Sequence, residues 1–322
     1  METIAESILQ RMPGDLRQYL EKQTNLDDIP ICEQEPANVA SEVIHVGHSR
    51  IKVYFPEFSP AKMVVFLHFR GDSGSIHIAV DYPSALVTRF RQILTDCSAI
   101  VEYVRQRCMG QWKETWNTDP ARIILSGSSA GATLAILIAA IMARNHELLY
   151  GVIALVPLID TNPDLAASPW GENENTIGLT PRRLLEDLDA AFRDEDPEFR
   201  LHWHSNPRKM PDYVMNQLPT VIMVLAKLDI LYPSQVEFKT RLEDQGVNLS
   251  WIEVDGLHQV KDMDRVTAAG REVRQYILRA SREFMKRAAC STDRRPELVP
   301  ESQREAATKR LSPYDVRRLE EL

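Results

Sequence analysis

Apolar residues along this chain recur with two periods, and segments of the two kinds alternate. Short runs with period two, or almost continuously apolar, occupy 41–46, 50–55, 63–69, 76–82, 122–126, 151–156, 221–226 and 249–254, and these predict strands. The run at 63–69 is apolar nearly throughout, which places it in the centre of a sheet rather than at an edge. Helical spacing covers 90–107, through Ile93, Leu94, Ile100, Val101 and Val104, and returns at 130–143, 180–192, 234–245 and 266–286. Two of these helices carry end signals. Thr180 stands as an N-cap with Pro181 at the first helical position, and Gly246 follows the last residue of 234–245. A further helical stretch at 4–22 is interrupted by Pro13-Gly14. Strands that alternate with helices predict an α/β fold, a mostly parallel sheet with helices on both faces.

Two regions fall outside the alternation. Residues 160–218 form a long irregular stretch in which only 180–192 has a helical pattern, and from 291 the chain turns to charge, Pro and Ser. Residues 291–322 are therefore expected to be a disordered tail and 1–290 a single domain, and no internal repeat is present.

Bulk properties narrow the function classes. The 322 residues suffice for a substantial core, and 44% hydrophobic with 26% charged content is ordinary for a soluble globular protein. A net charge of −8 argues against nucleic acid or an anionic membrane as the main partner. The apolar stretch 130–143 is too short to span a bilayer, and the first residues carry acid where a secretion signal needs base. The four cysteines, Cys32, Cys97, Cys108 and Cys290, have neither metal nor redox spacing, so free thiols in a reducing compartment are expected. These features together predict a cytoplasmic protein.

The chemistry is concentrated at Gly127-Ser128-Ser129-Ala130-Gly131, between the strand pattern ending at Ser126 and the helix pattern beginning at Ala130. A strand, a G-x-S-x-G turn and a helix in that order form an elbow that lifts a serine hydroxyl above the sheet. A serine is a poor nucleophile until a base takes its proton, and the base needs a carboxylate to orient it. Asp229 follows the strand 221–226, and His258 follows the strand 249–254. Both thus sit past the ends of parallel strands, where such sheets place their active sites. Ser129, Asp229 and His258 are the predicted catalytic residues.

Over roughly 41–285 the chain resembles the hormone-sensitive-lipase-like branch of the α/β-hydrolase superfamily. Gly127-Ser128-Ser129-Ala130-Gly131-Ala132 matches that branch's G-D-S-A-G-G, with Ser128 in the place of Asp. Val80-Asp81-Tyr82-Pro83-Ser84-Ala85 keeps the head of its V-D-Y-R-L-A-P-E segment, and Phe90 with Asp96-Cys97 fits the helix that follows. Asp229-Ile230-Leu231-Tyr232-Pro233 retains the acid of its D-P-L-x-D. The resemblance implies a carboxylesterase without a cofactor, acting on a small ester, with a cap formed by 1–40 and about 160–218. Hydrolysis, and acyl transfer to an alcohol, amine or thiol, share the same first half-reaction, so an acyltransferase or a thioesterase stays open.

One motif departs from the pattern. Where the branch has H-G-G-G, this chain has His68-Phe69-Arg70-Gly71. The resemblance assigns the oxyanion hole to the backbone N–H groups of Arg70, Gly71 and Ala130, but Phe69 and Arg70 replace two glycines. Only 70–75 separates the strand patterns 63–69 and 76–82, whereas a parallel crossover takes a dozen or more residues, usually a helix. A crossover helix present in the resembling family is therefore expected to be missing, with 76–82 either out of its family position or joined across a lost segment. This departure favours a weakly active or non-catalytic small-molecule-binding fold as the alternative. His202-Trp203-His204 spaces two imidazoles for a metal, but with no Cys or carboxylate cluster around them they read as a pair without a ligand.

Overall fold

In a computed structural model of the chain, the residues described are 40–46, 49–55, 63–69, 76–83, 88–116, 118–147, 149–176, 178–258, 260 and 267–290. The expected helix at 4–22, residues 70–75 and the expected tail from 291 lie outside them. The strands are β1 (Ala40–Val46), β2 (Ser49–Phe55), β3 (Met63–Phe69), β4 (Ile76–Asp81), β5 (Thr118–Ser128), β6 (Gly151–Leu155), β7 (Thr220–Ala226) and β8 (Leu249–Val254). They form an eight-stranded sheet in the order β1-β2-β4-β3-β5-β6-β7-β8. β2 pairs antiparallel with both β1 and β4, and every pairing from β4 through β8 is parallel. The sheet is the mostly parallel one that the alternation predicts.

The short connection before 76–82 leaves two expectations, a segment out of its family position or one joined across a lost stretch. The structure forms a regular strand there, β4, parallel to β3, with Val65 opposite Ile76 and His68 opposite Ala79. Strand β5 is longer than the predicted 122–126, reaching from Thr118 to Ser128. Pro120 hid its beginning, because proline has no N–H for the ladder and reads as a strand breaker. The pairing with β3 shifts register between Met63 and Val65, the irregularity that admits such a residue.

Helices α1 (Phe90–Met109), α2 (Gln111–Trp116), α3 (Ala130–Arg144), α4 (Pro181–Ala191), α5 (Pro197–Leu201), α6 (Asp212–Met215), α7 (Tyr232–Asp244) and α8 (Ala268–Cys290) complete the pattern. Thr180 caps α4 as its sequence implies, its hydroxyl accepting from the Arg183 N–H at 3.2 Å. Gly246, just beyond α7, has φ +70, a conformation that costs glycine little. Helices α2, α5 and α6 escaped the sequence reading because they are too short to show a helical repeat.

Alternate residues of β5 serve opposite faces. Ile123 and Leu125 join the large core shared with α1, α3 and α7, whereas Ile124 packs with Ile153 and Ile222 against Tyr276 and Ile277 of α8. Each such side chain, fully buried, contributes about 1.5–3 kcal/mol of transfer free energy. Helix α3 is buried almost all round, which is why its sequence is apolar on every side. The segment between β6 and β7 leaves the sheet at the C-terminal end of β6, the edge from which Ser129 emerges. No helix among the described residues is long and apolar enough to cross a membrane.

Candidate active site

Ser129 lies between β5 and α3 with φ 54 and ψ −123, a conformation that side chains rarely adopt. Such a residue stores roughly 1–3 kcal/mol of strain and persists only where its surroundings over-determine it. The surroundings do so here. Its N–H donates to the Leu155 carbonyl of β6 at 2.9 Å, and its own carbonyl accepts from the Ala132 and Thr133 N–H groups of α3. A Cβ on Gly127 would overlap the carbonyl of Gly131, so strand and helix approach this closely only because that position is glycine. The Thr133 hydroxyl donates to the Leu158 carbonyl at 2.7 Å and ties the foot of α3 to the chain leaving β6.

The structure brings the three predicted side chains together. His258 Nε2 is 2.9 Å from Ser129 Oγ, and its Nδ1 is 2.7 Å from Asp229 Oδ2. The tautomer that satisfies both contacts donates from Nδ1 to the carboxylate and accepts the serine hydroxyl at Nε2. Asp229 is 1% exposed and His258 is 7% exposed, so bulk water competes little for the pair. The other carboxylate oxygen, Oδ1, accepts from the Leu231 N–H at 3.1 Å, which leaves Oδ2 for the imidazole.

The turn that holds Asp229 is pinned along its whole backbone. The N–H groups of Lys227, Leu228 and Asp229 donate to the carbonyls of Val254, Gly256 and Ala226. Their three carbonyls are taken up from the segment between β6 and β7. Asn173 Nδ2 donates to the carbonyls of Lys227 at 2.8 Å and Asp229 at 2.9 Å, and Thr176 Oγ1 donates to that of Leu228 at 2.6 Å. Lys227 also reaches across to Asp255 at 2.9 Å, which raises the lysine pKa through that hydrogen bond, though an exposed pair of this kind adds little stability.

Ala130 opens α3, where the first N–H groups of a helix have no acceptor within it. It is exposed beside Ser129 and can offer its N–H to an oxyanion. Arg70 and Gly71, the other expected donors, lie outside the described residues. The rings of His202 and His204 stand 4.6 Å apart, edge to face, and among the described residues no three His, Cys, Asp or Glu side chains gather as metal ligands do. A cavity of about 230 Å³ with Trp170, Leu184, Arg208, Leu231 and Glu237 in its lining is lined by none of Ser129, Asp229 and His258. Asn173 and Thr176 were not legible in the sequence. They sit in an irregular stretch more than fifty positions from their partners, and no local pattern marks them.

Comparison with known proteins agrees with this architecture. A family model described as alpha/beta hydrolase fold matches residues 65–260. Mouse arylacetamide deacetylase-like 3 is 20% identical over 311 residues, spanning 73% of this chain and 75% of that protein. Among solved structures, carboxyl esterase 2 of the fungus Tuber melanosporum superposes with a TM-score of 0.70 at 18% identity, covering 85% of this chain and 99% of that one. A bacterial heroin esterase gives a TM-score of 0.70 at 17% identity, covering 86% and 98%.

Proposed function

Because the chain belongs to the hormone-sensitive-lipase-like branch of the α/β-hydrolase superfamily, we propose that it is a serine esterase working through an acyl-enzyme on Ser129. One observation carries the reading: an unbroken relay from Ser129 Oγ through both nitrogens of His258 to a buried Asp229, with the serine on a strained elbow. Relatives bearing the names deacetylase and esterase support the same class of reaction.

In this mechanism His258 takes the hydroxyl proton as Ser129 Oγ attacks the ester carbonyl carbon. Asp229 keeps Nδ1 protonated and stabilises the imidazolium. The Ala130 N–H receives the negative oxygen of the tetrahedral intermediate, with Arg70 and Gly71 as the expected partner donors in a hole that the replacement of glycines by Phe69 and Arg70 weakens. Collapse expels the alkoxide, which leaves as the alcohol with the proton from His258. A water then enters and attacks the acyl carbonyl as His258 takes its proton, and collapse of the second tetrahedral intermediate releases the acid and Ser129 Oγ, which takes that proton back from His258. None of these steps calls for a cofactor. The substrate class is a small, fairly apolar carboxylic ester, and residues 160–218 with 1–40 serve as the cap that selects it. An acceptor alcohol, amine or thiol in place of water would make the same site an acyltransferase or, acting on thioesters, a thioesterase.

The sequence at Phe69-Arg70, in place of two glycines, favours a second reading: a small-molecule-binding hydrolase fold with little turnover. A fluorophosphonate probe separates the two, since labelling needs an activated serine and a working base. The esterase reading expects labelling at Ser129, turnover across a panel of short and medium acyl esters, and a loss of at least about 10³-fold in kcat in Ser129→Ala. Near-normal turnover in that variant would end the assignment.

A further inference from the structure

The segment between β6 and β7 does more than lie over the sheet edge: it grips the backbone that carries the acid. Asn173 closes the 3-10 turn Gly171–Asn173, and the Thr176 N–H donates back to the Asn173 carbonyl at 2.9 Å, so the two residues form one rigid unit. Both are nearly buried, at 7% and 6% exposure. From that unit three side-chain hydrogen bonds reach three successive carbonyls, those of Lys227, Leu228 and Asp229.

The opposite side of the same turn is held by other elements. The Lys227 and Leu228 N–H groups donate to Val254 and Gly256, in and just after β8 and leading into His258. The turn is therefore held between the histidine's approach on one side and Asn173 with Thr176 on the other. With both sides fixed, the Asp229 side chain has little choice of direction, and Oδ2 meets Nδ1 at 2.7 Å. Without the clamp, the carbonyls of Lys227 and Leu228 lose these donors and that of Asp229 keeps only the Tyr232 N–H at 3.1 Å, so the turn rests on its N–H bonds alone and can tilt. A carboxylate displaced by even about 1 Å holds the imidazole poorly, and a misplacement of that size can cost as much as 10²-fold in rate.

We propose that Asn173 and Thr176 are positioning residues for Asp229, acting by occupying the three carbonyls of the turn that carries it. This rests on the esterase reading above. It differs from a merely structural role because it acts on catalysis through the Asp229–His258 geometry rather than through the folded fraction.

The test uses the full chain with Asn173→Ala, Thr176→Val, Thr176→Ser and Asn173→Asp. The expected result for Asn173→Ala and Thr176→Val is a drop in kcat of roughly 10- to 100-fold with KM within about twofold. Thr176→Ser keeps its hydroxyl and should stay near wild type. Asn173→Asp cannot donate to a carbonyl and should fall at least as far as Asn173→Ala. Thr118→Val is the control. It removes a hydroxyl bond of the same kind, to the Cys108 carbonyl at 3.0 Å, at the end of β5 remote from Ser129. Its Tm should drop with kcat unchanged. The second readout is the downfield proton NMR signal of the His258 Nδ1–H bonded to Asp229, which should weaken or shift in Asn173→Ala and Thr176→Val and persist in Thr118→Val. Wild-type kcat per folded molecule in those two variants, a rise in KM alone, or an unmoved proton signal would each overturn the proposal. The proton signal needs no turnover. A wild-type chain that neither labels nor hydrolyses esters would sink the esterase reading, and the NMR comparison would still decide the clamp.

Discussion

The N–H of Leu228 donates to the carbonyl of Gly256 at 3.0 Å, joining the turn that holds Asp229 to the turn that holds His258. Acid and base are thus brought into register through the backbone, two residues before the histidine, and the side-chain bond between them closes a ring already formed. A Cβ on Gly256 would collide with the Val260 side chain and crowd Ala269 at 3.2 Å. Gly256→Ala is expected to destabilise the fold by about 1–3 kcal/mol through overpacking and to shift His258. Thermal unfolding checks the first effect. Loss of kcat per folded molecule, by at least about 10-fold, checks the second.

Asp229→Asn preserves size and burial while removing the charge that holds Nδ1 protonated. The amide can donate to the imidazole and so select the wrong tautomer, leaving Nε2 unable to accept from Ser129. The expected loss is about 10⁴-fold in kcat, with the fold intact by circular dichroism. A loss below tenfold would mean that Asp229 does not orient His258.

Cys97 and Cys108 are free and fully buried, on the face of α1 turned to the core. Burial pushes both thiols up, Cys97 well above its usual range and Cys108 from 9.0 to about 12. A pKa raised in the folded state is linked to stability that is complete below the unfolded value and lost as pH rises through the folded one. Cys108 therefore destabilises the fold progressively between pH 9 and about 12. In a Cys32→Ala, Cys290→Ala background, no thiol should react with Ellman's reagent at pH 8 within minutes, and two should react after unfolding. Rapid reaction of a folded thiol would contradict the packing of α1.

Strands β3 and β4 are parallel neighbours, yet the sequence places only 70–75 between them. That is too few residues for the crossover helix of the resembling family, and the expected oxyanion donors Arg70 and Gly71 belong to the same short stretch. The chain as written is expected to be a weak esterase, since losing one donor typically costs about 10²–10³ in kcat. Inserting a family-like helical segment between Gly71 and Ile76 should raise turnover on a short-chain ester. Full family-level turnover from the unaltered chain would refute this.

The alternation of apolar periods, the glycine on each side of Ser128-Ser129-Ala130, and the order serine, aspartate, histidine are all local features. Each strand and long helix, and the residues at the three strand ends, were therefore legible in the sequence, within a few residues at their boundaries. Pro120 concealed the start of β5, and α2, α5 and α6 were too short to display a period. What only the tertiary structure decided is how those strand ends meet. Leu155 receives the Ser129 N–H from the next strand, and Gly256 receives that of Leu228. Asn173 and Thr176 reach Lys227, Leu228 and Asp229 from the irregular segment between β6 and β7. A hydrogen bond between residues fifty positions apart leaves no mark on the sequence near either partner, because any small polar side chain can make it and only the folded path of the chain brings the two together.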